Sequence, residues 1–257
     1  MTVTPEMDQS VARLIDANLD RAREGLRVIE DWCRFGLERK DLVITIKDWR
    51  HRLGFHHHQI YKESRSTFSD KGALLNHPEQ QNRSLTSQII AANFSRIAEA
   101  LRVIEEFSRN IDEDLAKTSA EIRYGVYELE TNLIKINIKK KRLEILNSCN
   151  IYLITTPQKE LTKKVTEALK AGIRIVQYRA KGKSDIENLA QAKELALICK
   201  KHGALLIIND RPDIALAIDA DGVHLGQDDL PIEIARKILG SERIIGKSTH
   251  SLIQIKK

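Results

Sequence analysis

Residues 173–181 read Ile173-Arg-Ile-Val-Gln-Tyr-Arg-Ala-Lys181, and this stretch decides the fold of the second half of the chain. A short β-rich run is followed directly by polar and charged side chains. Similar short runs occupy residues 151–155, 205–209, 222–225 and 243–246, and helical patterns separate them at residues 160–171, 184–202, 212–218 and 231–239. This alternation predicts βα units arranged around a parallel sheet.

Residues 1–147 have a different pattern, with long charged segments of helical apolar periodicity and few strand signals. They contain a repeat, because the motif from Asn18 to Trp32 returns from Asn93 to Phe107, 75 positions later. The duplication suggests two similar helical hairpins packed about a pseudo-twofold axis. We therefore predict an all-α domain at 1–147 and a second, α/β domain at 148–257.

The repeated motif places a polar side chain on an apolar helix face. At 100° per residue, Asn18 lies inside one apolar arc, and Asn93 occupies the equivalent place in the second copy. The arc is formed by Leu14, Ile15, Leu19, Ala22, Leu26, Ile29 and Cys33. A buried amide needs hydrogen-bond partners, so the two asparagines either bond each other across the pseudo-axis or reach a ligand.

Composition excludes several classes of protein. The chain has 257 residues, is 42% apolar and contains no run of eighteen apolar residues, so we expect a soluble, cytoplasmic protein that does not span a membrane. Cys33, Cys149 and Cys199 are widely spaced, which indicates structural thiols. The net charge of +6 suits either nucleic acid or anionic metabolites. Because the basic run 139–142 lies in a predicted linker without interleaved aromatic residues, we expect small anionic substrates and no nucleic acid.

Two polar segments of the first half invite functional interpretations. Residues 63–83 are polar and carry Gly72 and Pro78, which predicts a long loop whose tip could form a lid. Three consecutive histidines at 56–58 would point in three directions on a helix, whereas helical metal ligands usually lie at i and i+4. We therefore expect no metal site at these histidines.

Polar side chains follow successive strands of the predicted sheet. Gln177, Arg179 and Lys181 alternate along one strand and beyond its end, so they project to the same side. At the carboxyl ends of parallel strands, this amide and these two cations would lie beside an anionic substrate.

Carboxylates follow the next two strands. Asp210 ends the third strand after Asn209, and Asp229 lies past the fourth strand, where it could equally cap a helix. Two such carboxylates suit Mg²⁺, which binds one or two carboxylates together with substrate phosphates. The fifth strand ends at Lys247-Ser248-Thr249-His250, where hydroxyls and helix-start amides could receive phosphate.

The segment 151–251 resembles thiamine-phosphate synthases in its motifs Q-Y-R-A-K, I-I-N-D-R, D-G-V-H-L-G-Q-D-D and I-G-K-S-T-H. The resemblance implies a TIM-type barrel that joins hydroxymethylpyrimidine diphosphate to a thiazole phosphate and releases pyrophosphate. It implies that Asp210 and Asp229 bind Mg²⁺ and that Arg179 and Lys181 act in catalysis by neutralising the leaving pyrophosphate. The residues implied to line the pyrimidine-diphosphate site are Gln177, Tyr178, Arg179, Ala180, Lys181, Asn209 and Ser248.

The duplicated helical motif is similar to a domain that precedes such synthases and is associated with hydroxymethylpyrimidine-phosphate kinase activity. Asp70-Lys71-Gly72-Ala73 stands where those domains carry a D-V-G-T-like segment. A noncatalytic dimerisation or regulatory module is the alternative for this half. For the barrel half, the alternative is a thiazole tautomerase, which shares the barrel family and needs no magnesium-diphosphate site.

The length of the second half limits the barrel. Residues 151–257 supply five predicted strands, whereas a closed barrel of this type has eight and typically spans about 200 to 250 residues. We therefore expect an incomplete barrel with an open edge, which favours self-association, and a truncated chain that lacks full synthase turnover.

Overall fold

The computed structural model describes residues 8–65 and 83–256. The loop and lid predicted at 63–83, and the segment 70–73, lie almost entirely outside the described residues. Contacts divide the chain into two compact units, Met1–Asn132 and Leu133–Lys257. No helix in the described ranges is both long and apolar enough to cross a membrane.

The first unit is built from helices, as the sequence predicts. Its elements are α1 (Gln9–Asp31), which continues as one π-helical turn (Trp32–Gly36), then α2 (Lys40–Phe55), α3 (Gln59–Glu63), α4 (Thr86–Ser108) and the first part of α5 (Glu113–Ser148). The two copies of the repeat lie in α1 and α4, which pack against each other. Their approach is close at Gly25, where a Cβ atom would lie 2.6 Å from a side-chain carbon of Ile97.

The apolar face predicted for α1 is confirmed, because all its members are buried except Leu14, which is half-buried. Asn18 and Asn93 are also buried, but neither amide spans the two helices. Each Nδ2 group donates to a backbone carbonyl of its own helix, that of Leu14 or of Ile89, at 2.8 Å. The duplicated asparagine therefore satisfies its amide locally, with a bond that a helix offers at i−4.

A second duplicated motif supplies an ion pair within each of the two helical hairpins. The pattern D-L-x-x-T-x-x-[D/E]-x-R begins at Asp41 in α2 and recurs at Asp114 in α5. Its final arginines bind the buried glutamates near the end of the first motif: Arg50 donates to Glu30 at 2.7 Å, and Arg123 to Glu105 at 2.8 Å. An equivalent ion pair thus links the two helices of each hairpin.

The second unit contains one parallel sheet of five strands in the order β1-β2-β3-β4-β5. The strands are β1 (Leu153–Ile154), β2 (Ile175–Tyr178), β3 (Leu205–Asn209), β4 (Gly222–Leu225) and β5 (Ile244–Lys247). The helices are α6 (Leu161–Lys170), α7 (Asp185–Lys201), α8 (Pro212–Ala217), α9 (Ile232–Leu239) and α10 (Leu252–Ile255). The prediction of alternating strands and helices is confirmed, while a closed barrel stays a prediction.

Local signals in the sequence fix several of these boundaries. Ser184 accepts a hydrogen bond from the backbone of Glu187, whose carboxylate bonds back to Ser184, so a capping box begins α7. Gly172, Gly203 and Gly240 follow helices with φ of +107°, +64° and +77°, a conformation that favours glycine.

The two faces of the sheet have different coverings. One face carries Val176, Leu206 and Val223 and packs under helices α6 to α9 in the main core of the unit. The opposite face carries Ile175, Leu205 and Ile207, against which Ile145 and Leu146 of α5 pack. Side chains that alternate along each strand therefore reach two different environments.

The basic run at 139–142 lies within α5, so the predicted linker at this position is wrong. Arg142 is buried there, and its guanidinium donates to Asp221 at 2.9 Å and to the carbonyl of Glu242 at 3.2 Å. The basic run is therefore only partly exposed to solvent, because Arg142 forms hydrogen bonds that link α5 to the sheet.

Candidate functional site

The candidate site lies where the parallel strands end. The strand register places Gln177 opposite Ile207, so two residues further on Arg179 and Asn209 share a layer. The next pair in this layer is Asn209 and His224. Because side chains alternate along a strand, these residues project from the same face of the sheet as Ile175 and Ile207. They all lie at the end of the sheet where the carboxyl ends of the strands meet.

Gln177 is buried, and its amide is oriented by an aromatic hydroxyl. Its Nε2 group donates to the hydroxyl oxygen of Tyr152 at 2.9 Å. Burial raises the pKa of Tyr152, although the bond from Gln177 opposes this shift, so the hydroxyl stays protonated at neutral pH. The amide oxygen of Gln177 is thereby held in a fixed direction.

The alternation predicted after β2 separates five motif residues into two groups. Tyr178 faces the helix-covered core, and its hydroxyl donates to Asn188 of α7 at 3.3 Å. Ala180 packs against the same core. Gln177, Arg179 and Lys181 alternate with these two, and Lys181 is exposed at the rim. In the described chain the guanidinium of Arg179 pairs with no carboxylate, while its backbone N–H donates to Thr155 at 3.1 Å.

Asp210 and Asp229 are brought together, although nineteen positions separate them in the sequence. Their carboxyl groups interact directly, with Lys181 and Asn209 beside them. Burial raises the pKa of Asp210, and the adjacent Asp229 raises it further, whereas Lys181 and Asn209 oppose the shift. Two acidic groups in contact repel each other when both are ionised, so this pair favours a proton or a cation between them.

The backbone around each aspartate is shaped to aim its carboxylate. Asp210 has φ of +63°, in the left-handed region that non-glycine residues seldom occupy. Asp229 accepts a hydrogen bond from the N–H of Gly226 at 2.6 Å. A Cβ atom at Gly226 would lie 3.0 Å from the same carboxylate oxygen, so glycine leaves room for this contact.

Ser248 lies beyond β5 and is held by two side chains, His224 and Gln227, that were not among the predicted site residues. Its hydroxyl lies 2.9 Å from Nε2 of His224. The amide of Gln227 donates to its carbonyl. The His224 ring extends over Gly246, where a Cβ atom would lie 2.6 Å from Nδ1. His224 and Tyr152 thus hold in place Ser248 and Gln177, which are expected to contact the substrate. Strand alternation places both on the same sheet face as Gln177, and this pattern in the sequence could have identified them.

The arrangement can therefore hold a cation and an anion side by side. Asp210 and Asp229 supply carboxylate oxygens, which are the ligands that a hard divalent cation prefers. Lys181 supplies positive charge beside them, and Asn209 supplies an amide. Gln177 lies on β2 and Ser248 follows β5, and each is fixed by its own hydrogen bond.

Comparisons with known proteins match both units. The family model described as thiamine monophosphate synthase matches residues 151–257, and the model of the ThiD2 family matches residues 13–132. A thiamine-phosphate synthase of Prochlorococcus marinus (strain MIT 9303) is 58% identical over 262 residues, covering 100% of this chain and 74% of that protein.

Other relatives carry the same name. A thiamine-phosphate synthase of Prochlorococcus marinus (strain SARG) is 60% identical, covering 99% of this chain and 74% of that protein. A thiamine-phosphate synthase of Synechococcus sp. (strain CC9605) is 54% identical, with 99% and 73% covered. Among solved structures, a thiamine phosphate pyrophosphorylase from Pyrococcus furiosus is 40% identical, with a TM-score of 0.37, and the match covers 40% of this chain and 50% of that one.

Proposed function

Because the chain belongs to the thiamine-phosphate synthase family, we propose that its second unit binds hydroxymethylpyrimidine diphosphate at the carboxyl ends of β2 to β5 and transfers the pyrimidine to a thiazole phosphate. The reaction is an alkyl transfer in thiamine biosynthesis, and it releases pyrophosphate. The observation that carries the proposal is the convergence of Asp210, Asp229, Lys181 and Asn209 at one edge of the sheet.

Mg²⁺ fits this edge, since two carboxyl groups that interact directly offer it oxygen ligands and lose their mutual repulsion when it binds. Asp210 and Asp229 are the residues that would hold it. When bound, the ion supplies positive charge to the diphosphate, which makes pyrophosphate a better leaving group. A thiazole tautomerase does not need such a pair, so the contact between these carboxylates favours the synthase.

The residues of the chain then have separate roles. Lys181 and Arg179 neutralise the charge that develops on the departing pyrophosphate, since Lys181 is exposed at the rim near Asp210 and Arg179 follows β2 at the same end of the sheet. Gln177, Asn209 and Ser248 orient the substrate through hydrogen bonds. Since the side chains of Tyr178 and Ala180 face the helix-covered core, these two residues contribute through their backbone. No protein nucleophile is required, because the electron-rich pyrimidine stabilises the carbon left behind.

The remaining predictions about this chain follow from the family. The sheet would form part of a TIM-type barrel, in line with five consecutive parallel strands. The domain boundary at 147/148 and a cytoplasmic location stay predictions. The helical unit, which matches the ThiD2 family, would phosphorylate hydroxymethylpyrimidine phosphate and so supply the diphosphate to the second unit.

Calorimetric titration of the purified chain with hydroxymethylpyrimidine diphosphate tests the proposed site. Binding should require Mg²⁺, and Asp210→Asn and Asp229→Asn should each weaken it by at least about tenfold, or about 1.4 kcal/mol. Asparagine keeps the size of the side chain and can still accept the bond from Gly226. Asp228→Asn is the matched control, because Asp228 is the exposed neighbour of Asp229 and should leave binding unchanged. Equal binding in chelator, or equal weakening by all three variants, would rule out this site.

A further inference from the structure

The three consecutive histidines of the helical unit do not lie on one helix. α2 ends at Phe55 with His56 as its C-terminal cap, and α3 begins at Gln59 with His58, in extended conformation, as its N-terminal cap. The expectation that these histidines diverge as on a helix is therefore wrong. His57 turns towards α1, whereas His56 and His58 both face the carboxylate of Asp112 at the start of α5.

The facing atoms have the spacing of a metal site. Oδ2 of Asp112 lies 3.8 Å from Nδ1 of His56 and 3.9 Å from Nε2 of His58. One ligand atom from each of the three residues lies within 4.8 Å of the others. Zinc bonds of about 2.0–2.1 Å in a tetrahedron separate ligand atoms by roughly 3.4 Å. A contraction of about 0.5 Å would bring Oδ2 of Asp112 to this distance from each of the two nitrogens.

In His56 and Asp112, the nitrogen or oxygen that does not face the cluster has a protein partner, and this partner orients the side chain. Nε2 of His56 lies 3.4 Å from the hydroxyl of Thr118, which leaves Nδ1 directed at Asp112. Oδ1 of Asp112 accepts the backbone N–H of Leu115 at 2.9 Å, which leaves Oδ2 directed at the two histidines. Metal-binding imidazoles typically have such a partner on the second ring nitrogen, because it fixes the ring and its tautomer.

A neighbouring cluster of similar composition serves as a contrast. Asp16, Asp20 and His57 also lie close together, but Arg65 donates to both aspartates, at 2.7 and 2.8 Å to Asp16 and at 2.7 Å to Asp20. Arg23 approaches the remaining nitrogen of His57 at 3.3 Å. Arginine therefore already supplies the positive charge in that cluster. Within 8–65 and 83–256, no arginine or lysine forms an ion pair with Asp112, and its carboxylate faces the two histidines instead.

We propose that His56, His58 and Asp112 bind a divalent transition-metal ion of the zinc class. Two imidazoles and one carboxylate suit Zn²⁺ and its neighbours, whereas Mg²⁺ prefers oxygen ligands alone. Three protein ligands leave a coordination position for water or a small ligand. The side chain of His58 is 51% exposed, so the cluster is open to solvent on that side, and the Tyr61 hydroxyl donates to Oδ2 of Asp112 at 3.5 Å. The site lies in the helical unit and does not depend on the function proposed for the second unit.

Titration of the chelator-treated full chain with Co²⁺ tests the site directly, because four-coordinate Co²⁺ has intense visible absorption and can be displaced by Zn²⁺. One equivalent should bind with this intense absorption, whereas Co²⁺ held by the carboxylates of Asp210 and Asp229 and water would be six-coordinate and absorb weakly. His58→Gln and Asp112→Asn should weaken binding by more than about 100-fold, and Thr118→Val by about tenfold, since second partners typically contribute 10- to 100-fold in affinity. His51→Gln is the matched control, because His51 is an exposed histidine of α2 outside the cluster.

The variants are chosen to preserve the fold. Asparagine is as good a helix cap as aspartate, so Asp112→Asn should keep the start of α5. The half-exposed position of His58 tolerates glutamine, and a tryptophan-fluorescence melt checks both proteins. Absence of stoichiometric Co²⁺ binding in the wild type, or undiminished binding in folded His58→Gln, would overturn the proposal. Loss of binding in His51→Gln to the same extent would do so as well, because it would show that exposed histidines bind the ion without a built site.

Discussion

Replacing Arg123 by methionine should lower the free energy of unfolding of the helical unit by about 3 kcal/mol. Arg123 is nearly buried, with 10% of its side chain exposed, and two of its nitrogens donate to one oxygen of Glu105, at 3.1 and 2.8 Å. Methionine fills much of the space of the arginine stem but leaves Glu105, which is 12% exposed, without its closest cation.

The magnitude follows from what remains around Glu105. Loss of one partner of a buried ion pair typically costs about 3–5 kcal/mol, because the other charge stays buried. Arg102 and Arg109 still approach the second oxygen of Glu105, at 3.0 and 3.3 Å, but both are about half exposed. They reduce the loss, which places the estimate at the lower end of this range. For a unit of this size the melting temperature should fall by roughly 10 °C.

Tryptophan fluorescence measures this effect selectively, because the two tryptophans of the chain, Trp32 and Trp49, both lie in the first unit. Urea unfolding followed by this signal should show the loss in Arg123→Met. Arg109→Met is the control, since it removes a half-exposed partner of the same glutamate and should cost no more than about 1 kcal/mol. Arg50→Met, the equivalent change in the first hairpin, should cost as much as Arg123→Met. If Arg123→Met and Arg109→Met unfold alike, the surface arginines alone neutralise Glu105 and the reasoning is wrong.

Two further measurements address charge and activity in the helical unit. Burial alone would raise the pKa of Asp16, but hydrogen bonds from Arg65 and His57 outweigh it and lower the pKa below its usual value near 3.9. The stability that these bonds supply is present above about pH 4 and is lost as the pH falls through the lowered pKa of Asp16 in the folded state. Acid should therefore destabilise the wild type more steeply than Asp16→Asn. Parallel plots of melting temperature against pH between about pH 6 and 3 would contradict this expectation. The full chain should release ADP from ATP when hydroxymethylpyrimidine phosphate is added, whereas a noncatalytic dimerisation module would release none.

The elements that the sequence predicted best are those with strong local signals. β3 (Leu205–Asn209) and β4 (Gly222–Leu225) coincide with their predicted bounds, because each apolar run is bordered by turn residues. The capping box at Ser184 fixed the start of α7 for the same reason. Prediction failed at residues 56–58 and at 139–142. The histidines form a turn between two helices, and α5 continues through the basic run. Both features depend on packing against other parts of the chain, which the neighbouring residues in the sequence do not reveal.

The sequence by itself determined the division into a helical half and a βα half, the duplicated hairpin and the strand ends at which polar side chains gather. These properties follow from periodicity and from the conformational preferences of single residues, which act over a few positions. Only the tertiary structure decided other long-range contacts, those of Arg142 with Asp221 and of His56 and His58 with Asp112. Such contacts depend on how elements far apart in the chain pack against each other, and this packing is set by the whole core.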